Sequence, residues 1–337
     1  MKQFLFWLGK RVLLLIFIMW GITSIIFIIN SVVPRNMAVT MQGSTISPDE
    51  IKKFNEKWGL DKPTYVRYFK FYGYLLKGDL GMSIRTERPV SEEIKRLFPA
   101  TLELANSAIF IALIIGIPLG ILSALKRNKL IDQIARIFSL LGVSTPNFWL
   151  GLILLLIFYY FLNWGGPGRI SSAAMIPAKI TGLYLIDSLL TLNWHSFVDS
   201  LKYLFLPAFS LGYFGIGVVS RMMRSSVLET LSKDYIKAAK SRGLSTYKIM
   251  IRHILKNSLL PVITIVGLLY CGFLGGVIVI EVVFGWPGLG NFVYISILKA
   301  DAPSILGSVL VISLFFSIIS LIIDIIYRFL DPRIKFN

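Results

Sequence analysis

The chain has 337 residues, of which 55% are hydrophobic and only 16% are charged, and its formal net charge is +17. Soluble domains carry about 25% charged residues, so this composition excludes an ordinary soluble enzyme and a disordered chain. The single cysteine, Cys271, excludes a small secreted domain held by disulfides. Because the apolar residues gather into runs of about 20, each long enough to cross a hydrocarbon core of about 30 Å, we predict an all-α polytopic membrane protein.

Six apolar runs are predicted to span the membrane. In chain order they cover residues 12–33, 104–125, 137–162, 203–220, 258–280 and 304–327. The first run follows Lys2, Lys10 and Arg11, but it is longer than the core of a cleaved signal peptide, so we interpret it as an uncleaved anchor. The fourth run is the least regular, because Pro207 and three glycines interrupt it.

Basic residues are distributed unevenly among the predicted loops. They are in surplus in the N-terminal segment, in the connection between the second and third spans, in residues 221–257 and in the C-terminal tail. Because short cytoplasmic loops are enriched in lysine and arginine, both termini are predicted to be cytoplasmic. We interpret the positive charge as a topology signal beside anionic lipid, and not as a nucleic-acid-binding surface.

This topology divides the chain into four segments. They are an N-terminal cytoplasmic segment with the first span (1–33), an extracytoplasmic loop or cap (34–98), a core of five spans with the cytoplasmic loop 221–257 (99–328), and a cytoplasmic tail (329–337). The predicted fold is therefore a bundle of six transmembrane helices with one long extracytoplasmic loop.

The first loop contains two predicted helices. One begins at Ser47, which is a suitable N-cap before a proline and two acidic residues. The other covers residues 65–76 and places four apolar or aromatic side chains on one side, those of Tyr68, Phe69, Tyr72 and Leu75. This surface either meets an extracytoplasmic partner or packs as a cap on the outer ends of the spans, and the sequence leaves both interpretations open.

A short helix is predicted inside the connection between the fourth and fifth spans, over residues 233–242. Ser232 is a suitable N-cap and Gly243 a suitable C-terminal stop. One face carries an aromatic anchor, two alanines and an arginine, namely Tyr235, Ala238, Ala239 and Arg242. A helix of about ten residues is not stable alone in water, so it must dock. One possible docking site is a groove on another protein, in which case a helix capped by Ser245 would pass force to the fifth span. The other is the membrane surface.

The residues of this connection resemble a known family. The run from Asp234-Tyr235 through Ala238-Ala239 to Gly243, followed by Pro261, is similar to the coupling loop of type I ABC-importer permeases, and most similar to the dipeptide/oligopeptide/nickel branch. Further matching motifs lie at residues 59–63, 78–83, 97–104, 145–149, 181–187, 281–290 and 324–333. One departure is Lys237, because the general motif has glutamate at this position.

The resemblance implies a multi-pass permease subunit of the cell membrane with the type I ABC importer permease fold. It implies a second homologous permease subunit, two ATP-binding subunits and an extracytoplasmic solute-binding protein as partners. ATP and Mg would be bound by the partner subunits, so this chain is expected to hold no cofactor and no catalytic residue. The residues expected to couple it to the ATPase are Asp234, Tyr235, Ala238, Ala239, Arg242 and Gly243.

Peptides are the cargo that the resemblance implies. Nickel and oligosaccharides are alternatives for the same type of permease, and no residue in the sequence discriminates among the three. Two alternatives of a different class are a secondary transporter and a membrane-anchored receptor or scaffold. The sequence disfavours the secondary transporter, because it shows no charged relay deep in the spans.

Several other residues are candidates for a role in transport or in structure. Those after the fifth span that we assign to a gate or to a partner contact are Glu281, Phe284, Trp286 and Pro287. Glu281 could equally sit in water or pair with a lysine. Asp324 lies inside the last span, one turn from Arg328, and we interpret the two as a structural ion pair. The fifth span also carries a glycine stripe that indicates close packing or a pathway lining, formed by Gly267, Gly272, Gly275 and Gly276.

Overall fold

The computed structural model describes residues 2–32, 63–299 and 301–330, and these residues are predominantly helical. The α-helices are α1 (Lys2–Val32), α2 (Thr64–Leu76), α3 (Val90–Leu125), α4 (Leu130–Ser144), α5 (Asn147–Leu154), α6 (Tyr184–Leu190), α7 (Trp194–Ser232), α8 (Asp234–Ser241), α9 (Thr246–Ile249), α10 (Lys256–Val283), α11 (Leu289–Leu298) and α12 (Ala302–Leu330). Two π-helical segments are π1 (Leu155–Phe161), which continues α5, and π2 (Met250–Leu255), which joins α9 to α10. The predicted all-α class is confirmed. The helix predicted to begin at Ser47 falls outside the described residues.

Within the described residues, five helices are long and apolar enough to cross a membrane. They are Leu8–Ile25, Val90–Leu125, Trp194–Ser232, Tyr247–Val283 and Ala302–Ile326, and a bent pair formed by α4 and α5–π1 makes a sixth if it counts as one span. All six coincide with predicted spans. Helices α3 and α7 extend well beyond the predicted runs 104–125 and 203–220, because a helix continues through polar residues as long as its backbone hydrogen bonds are made.

The predicted third span, 137–162, is not one straight helix but a bent pair of helices. Helix α4 ends at Ser144, and the chain bends by 105° before α5 begins at Asn147. Pro146 explains the bend, because proline has no N–H to donate and drives the preceding residue out of the helical conformation. Thr145 accordingly has an extended ψ of 124°.

The described residues form two compact units. The first takes in Gly288–Ile318 and the described residues up to Phe98, and the second takes in Pro99–Pro287 and the described residues from Ile319 onward. The core of the second unit is built around α7, which packs against α4, α5, α6 and α10.

In the first unit, α2 packs on α1. The Tyr68 hydroxyl lies 2.7 Å from Ser24 Oγ, and the Tyr72 hydroxyl donates to the carbonyl oxygen of Trp20 at 3.0 Å. Tyr68 and Tyr72 therefore pack against the first predicted span, and the position of α2 as a cap on the outer ends of the spans stays a prediction. Phe69, which was predicted to share their face, is exposed instead.

Helix α7 is the span that looked least regular in the sequence. It runs unbroken through Pro207. In its apolar stretch 67% of the residues are buried, compared with 6% in the apolar stretch of α1. Glycines make this enclosure possible, because a Cβ at Gly217 would lie 2.5 Å from the carbonyl oxygen of Ser139 on α4. A Cβ at Gly212 would lie 2.7 Å from the carbonyl oxygen of Ala108 on α3. Since other helices enclose α7, it needs less apolar surface of its own, which explains its modest hydropathy.

Candidate functional site

Helix α8 is the short helix predicted between the fourth and fifth spans. An extended residue, Lys233 with ψ 144°, separates it from α7. The predicted N-cap is wrong, because Ser232 is the last residue of α7 and its Oγ donates to the carbonyl oxygen of Glu229 at 2.7 Å. Lys233 forms an ion pair with Glu229, with Nζ and Oε1 2.9 Å apart. The start of α8 is therefore set by a backbone turn and not by a side-chain cap.

The predicted stop at Gly243 is confirmed. Gly243 has φ +72°, a left-handed conformation that costs glycine little. Its N–H donates to the carbonyl oxygen of Lys240 at 2.9 Å, and the N–H of Leu244 donates to that of Ala239 at 3.4 Å. These two bonds form the Schellman arrangement that satisfies the last carbonyls of a helix.

One face of α8 packs against the chain itself. Ile236 and Ala239 are fully buried in a hydrophobic cluster, here called the α8 cluster, with buried residues of α3, α7, α9, π2 and α10: Ala124, Val219, Met223, Val227, Ile249, Ile254, Val262 and Leu269. The prediction that Ala239 lies on the exposed docking face is therefore wrong. Ile236 is the signal that could have identified the inward face, because it is a large aliphatic side chain three residues before Ala239.

The face of α8 next to the buried one is exposed. Tyr235 is 43% exposed, and Ala238 and Arg242 are exposed beside it. The Tyr235 hydroxyl accepts a hydrogen bond from Asn257 Nδ2 at 3.3 Å, which orients the ring. The helix thus presents an aromatic side chain, a small residue and a guanidinium group on one surface, which is the face predicted from the spacing without Ala239.

Helix α8 is connected to the fifth span by a nearly continuous helical rod. The Ser245 Oγ accepts the N–H of Lys248 at 3.4 Å, which confirms the predicted cap of the following helix. Helix α9, π2 and α10 then follow without a break, and the helical stretch Tyr247–Val283 has 37 residues. A displacement of α8 therefore has a direct mechanical connection to a membrane-spanning helix.

A buried carboxylate that the sequence analysis did not identify lies near the C-terminal end of α7. Asp132, in the first turn of α4, accepts bonds from Arg224 Nε and Nη2, both at 2.8 Å. It also accepts the Ser123 hydroxyl at 2.6 Å and the N–H of Asn128 at 2.9 Å. The carboxylate thus joins the end of α3, the α3–α4 turn, α4 and α7.

The predicted gate or partner-contact residues lie mostly in the core of the second unit. Glu281 is fully buried and accepts the Thr101 hydroxyl at 2.6 Å, so the interpretation that it sits in water is wrong. Phe284 and Trp286 are buried in the same core, whereas Pro287 is exposed. A direct contact with another protein is therefore compatible with Pro287 but not with the buried aromatic pair.

A second buried ion pair lies in the same core and was also missed. Arg169 Nη2 donates to Glu103 and, at 3.0 Å, to the carbonyl oxygen of Gly182. The guanidinium carbon lies 3.6 Å from the centre of the Tyr184 ring, a cation–π geometry. Leu185 donates its N–H to the other oxygen of Glu103 at 2.8 Å. Together these contacts fix the loop between π1 and α6 against α3.

The remaining candidates are the predicted ion pair of the last span and the glycine stripe of the fifth span. Asp324 is half-buried in α12, but the side chain of Arg328 lies outside the described residues, so their ion pair stays a prediction. In the glycine stripe, a Cβ at Gly267 would lie 2.7 Å from Ile323, which confirms close packing at this position. Gly272 and Gly275 face open space within the described chain, because a Cβ at either position would have no heavy atom within 4 Å.

The fold defines a class of protein, a multi-pass integral membrane protein with a short helix between two spans, of which one face is buried and another is exposed. The family follows from comparison with known sequences. The chain matches the binding-protein-dependent transport system inner membrane component over residues 116–336 and the N-terminal region of the same kind of membrane component over residues 1–105. The chain therefore belongs to the family of ABC-importer permeases, which are multi-pass proteins of the cell membrane and work with ATP-binding and substrate-binding proteins.

Individual relatives support this membership. The probable D,D-dipeptide transport system permease protein DdpB of Escherichia coli K12 is 42% identical over 98% of each chain. The dipeptide transport system permease protein DppB of Alkalihalophilus pseudofirmus is 39% identical over 97% of this chain and 98% of its own length. A chain of the MetNI methionine ABC transporter, in an inward-facing conformation, superposes with a TM-score of 0.50 at 16% identity, over 69% of this chain and 93% of that chain. This structural similarity supports the fold.

Proposed function

We propose that this chain is the permease subunit of an importer that moves dipeptides or oligopeptides across the cell membrane, driven by ATP that partner subunits hydrolyse. The observation that carries the proposal is the division of α8 into an exposed face with Tyr235, Ala238 and Arg242 and a buried face with Ile236 and Ala239. The relatives named as dipeptide and D,D-dipeptide permeases support the choice of cargo.

The proposed assembly contains this chain, a second homologous permease, two ATP-binding subunits and an extracytoplasmic solute-binding protein. Both termini and α8 lie on the cytoplasmic side, as the distribution of basic residues indicates. ATP and Mg belong to the ATP-binding subunits, and this chain supplies no catalytic residue.

The two faces of α8 give the mechanism its direction. The exposed face inserts into a groove of an ATP-binding subunit, where Tyr235 fills a pocket and Arg242 can fork to a carboxylate. The buried face transmits the displacement, because Ile236 and Ala239 pack on α7 and on the rod that leads into α10. Closure of the ATP-binding subunits thereby shifts the spans between two packed arrangements as rigid bodies.

A glutamate placed on either flank of α8 tests the docking face. Ala238→Glu puts a charge in the proposed interface, and we expect it to lower ATP-dependent peptide uptake by about tenfold or more, as for an interface hot spot. Lys240→Glu is the matched control, because Lys240 is also exposed but lies on the far side of the helix from Ala238. The measurement is uptake by the reconstituted complex, together with the amount of ATP-binding subunit that copurifies.

Two results would contradict the proposal. Equal uptake by the Ala238→Glu variant and the control would show that this face does not dock. Uptake by the permease alone in vesicles that lack ATP-binding subunits would assign the chain to the secondary transporters.

A further inference from the structure

The carboxylate of Asp132, in the second unit, is fully buried and has hydrogen-bond donors on both of its oxygens. It is 0% exposed and accepts four hydrogen bonds, two of them from the fork of Arg224. The other two come from the Ser123 hydroxyl and the Asn128 N–H. Arg136 lies at the rim, with Nε 3.7 Å from the carboxylate. A bidentate arginine–carboxylate pair fixes the relative rotation of the two helices that carry it.

Arg224 lies close to α8 along the chain. Arg224 is about two turns before the end of α7, on the helix that leads directly into α8. Its neighbours Met223 and Val227 belong to the α8 cluster, which holds the buried face of α8. Asp132 itself belongs to α4, which contributes no buried residue to that cluster. The ion pair therefore connects the C-terminal part of α7 to α4, which contributes no buried residue to the α8 cluster.

The backbones of the helices that carry the pair are in close contact. A Cβ at Gly120 of α3 would lie 2.6 Å from the carbonyl oxygen of Ser220 on α7. A Cβ at Gly217 of α7 would lie 2.5 Å from the carbonyl oxygen of Ser139 on α4. Close backbone contacts of α7 with α3 and α4, together with the bidentate ion pair, hold the three helices against one another at this end.

We propose that the Asp132–Arg224 pair is a positioning element for energy transfer, because it forces α4 to follow the movement that α8 passes to α7. This inference rests on the proposed function and adds to it the residues that pass a local displacement to α4, which contributes no residue to the α8 cluster. Packing alone does not explain the pair, because apolar residues of similar volume hold buried helices together as well as an ion pair does. What an apolar pair lacks is the fixed rotational register of the fork.

The test measures the number of peptides transported per ATP hydrolysed by the complete reconstituted complex, with a radiolabelled mixture of dipeptides as the probe. Arg224→Lys keeps the charge but removes the fork, and we expect it to lower this ratio by about fivefold or more, the lower range of typical coupling between sites. Arg221→Lys is the matched control, because Arg221 is an exposed arginine on the same helix whose Nε donates only to the carbonyl oxygen of Gly217 in its own helix. The control should keep the ratio of the unaltered complex.

A second variant separates positioning from folding. Asp132→Leu/Arg224→Met replaces the pair by apolar side chains, and we expect the complex to assemble and hydrolyse ATP but to transport few peptides per ATP. An unchanged ratio in this variant or in Arg224→Lys would overturn the proposal, as would loss of assembly in both, which would assign the pair to folding alone. Failure of the unaltered complex to import any dipeptide with ATP would instead overturn the proposed function.

Discussion

At the scale of single residues, Asp187 shows how one carboxylate organises a loop. It is buried and accepts the N–H groups of Thr181 and Gly182 at 2.8 and 2.9 Å and the Thr181 hydroxyl at 2.7 Å. Burial alone would raise the pKa of Asp187, but these donors hold the pKa below its ordinary value of 3.8. A pKa that is lower in the folded state means that the carboxylate stabilises the fold above pH 3.8 and that this stability is lost as the pH falls through the folded-state pKa.

Asp187→Asn should therefore destabilise the protein at neutral pH. The amide leaves N–H donors unsatisfied, and we expect a loss of about 1–3 kcal/mol at about pH 7. Below pH 3.8 the difference in stability between the variant and the unaltered protein should shrink, because the aspartate then loses the advantage of its charged form. The measurement is thermal unfolding of the purified protein in detergent, with Asp234→Asn as an exposed control. Identical melting temperatures for the variant and the unaltered protein at neutral pH would contradict the prediction.

The residue scale also shows where sequence reasoning reaches its limit. The stop at Gly243 and the cap at Ser245 were predictable, because caps involve residues only a few positions apart. The partners of Asp132 and Glu103 were not, because Arg224 is 92 positions from the first and Arg169 is 66 positions from the second. Only the folded chain brings such pairs together, and a charged residue in the sequence does not identify its distant partner.

At the scale of elements, the helices of the second unit are positioned by close backbone contacts at glycines. Gly217 on α7 and Gly272 on α10 are both helical, but only Gly217 faces the backbone of another helix. Gly272 faces open space within the described chain. The two positions therefore separate the steric role of a glycine from its intrinsic effect on helix stability.

Gly217→Ala should push α7 away from α4. Overpacking of this kind costs about 1–3 kcal/mol, so we expect a lower melting temperature of the purified chain. Gly272→Ala should leave stability equal or raise it, because alanine is the better helix former by about 1 kcal/mol. A melting temperature for Gly217→Ala at or above that of Gly272→Ala would show that the α4–α7 contact can relax.

The same scale explains which elements were predictable. The long apolar runs predicted the outer helices well, because a helix with little burial must itself be apolar to span a membrane. The bend at Thr145-Pro146 was missed, since the apolar composition continues through it while the backbone does not. The inward face of α8 was missed although Ile236 marks it in the sequence, because the residues that bury it come from five other segments.

At the scale of the whole molecule, the chain contains the membrane spans and the proposed coupling helix, but its cargo is proposed from its relatives. No residue of the sequence distinguishes peptides from nickel or oligosaccharides. In the proposed assembly the discriminating part is the solute-binding protein, which selects the molecule that reaches the permease. The cargo is thus a property of the assembly and has to be tested on the assembly.

The complete complex with its solute-binding protein should hydrolyse ATP faster when dipeptides are present. We expect a stimulation of about fivefold or more, because a coupling of about 1–3 kcal/mol between sites corresponds to a factor of about 5–150. Nickel ions and a maltose-series oligosaccharide serve as matched probes under the same conditions. Stimulation by nickel or by the oligosaccharide, with none by dipeptides, would move this chain to another cargo within the same family.

The contrast in burial between α7 and α1 determines how freely each helix can diverge among relatives. In α1 most side chains are exposed within the described chain, so leucine, isoleucine, phenylalanine and valine are interchangeable there as long as the helix stays apolar. In α7 each exchange must also fit the neighbour that it faces, and at positions such as Gly212 even one added methyl group is too much. Amino-acid substitutions among relatives should therefore accumulate quickly in α1, mostly between apolar residues. They should accumulate slowly in α7, although its hydropathy is lower.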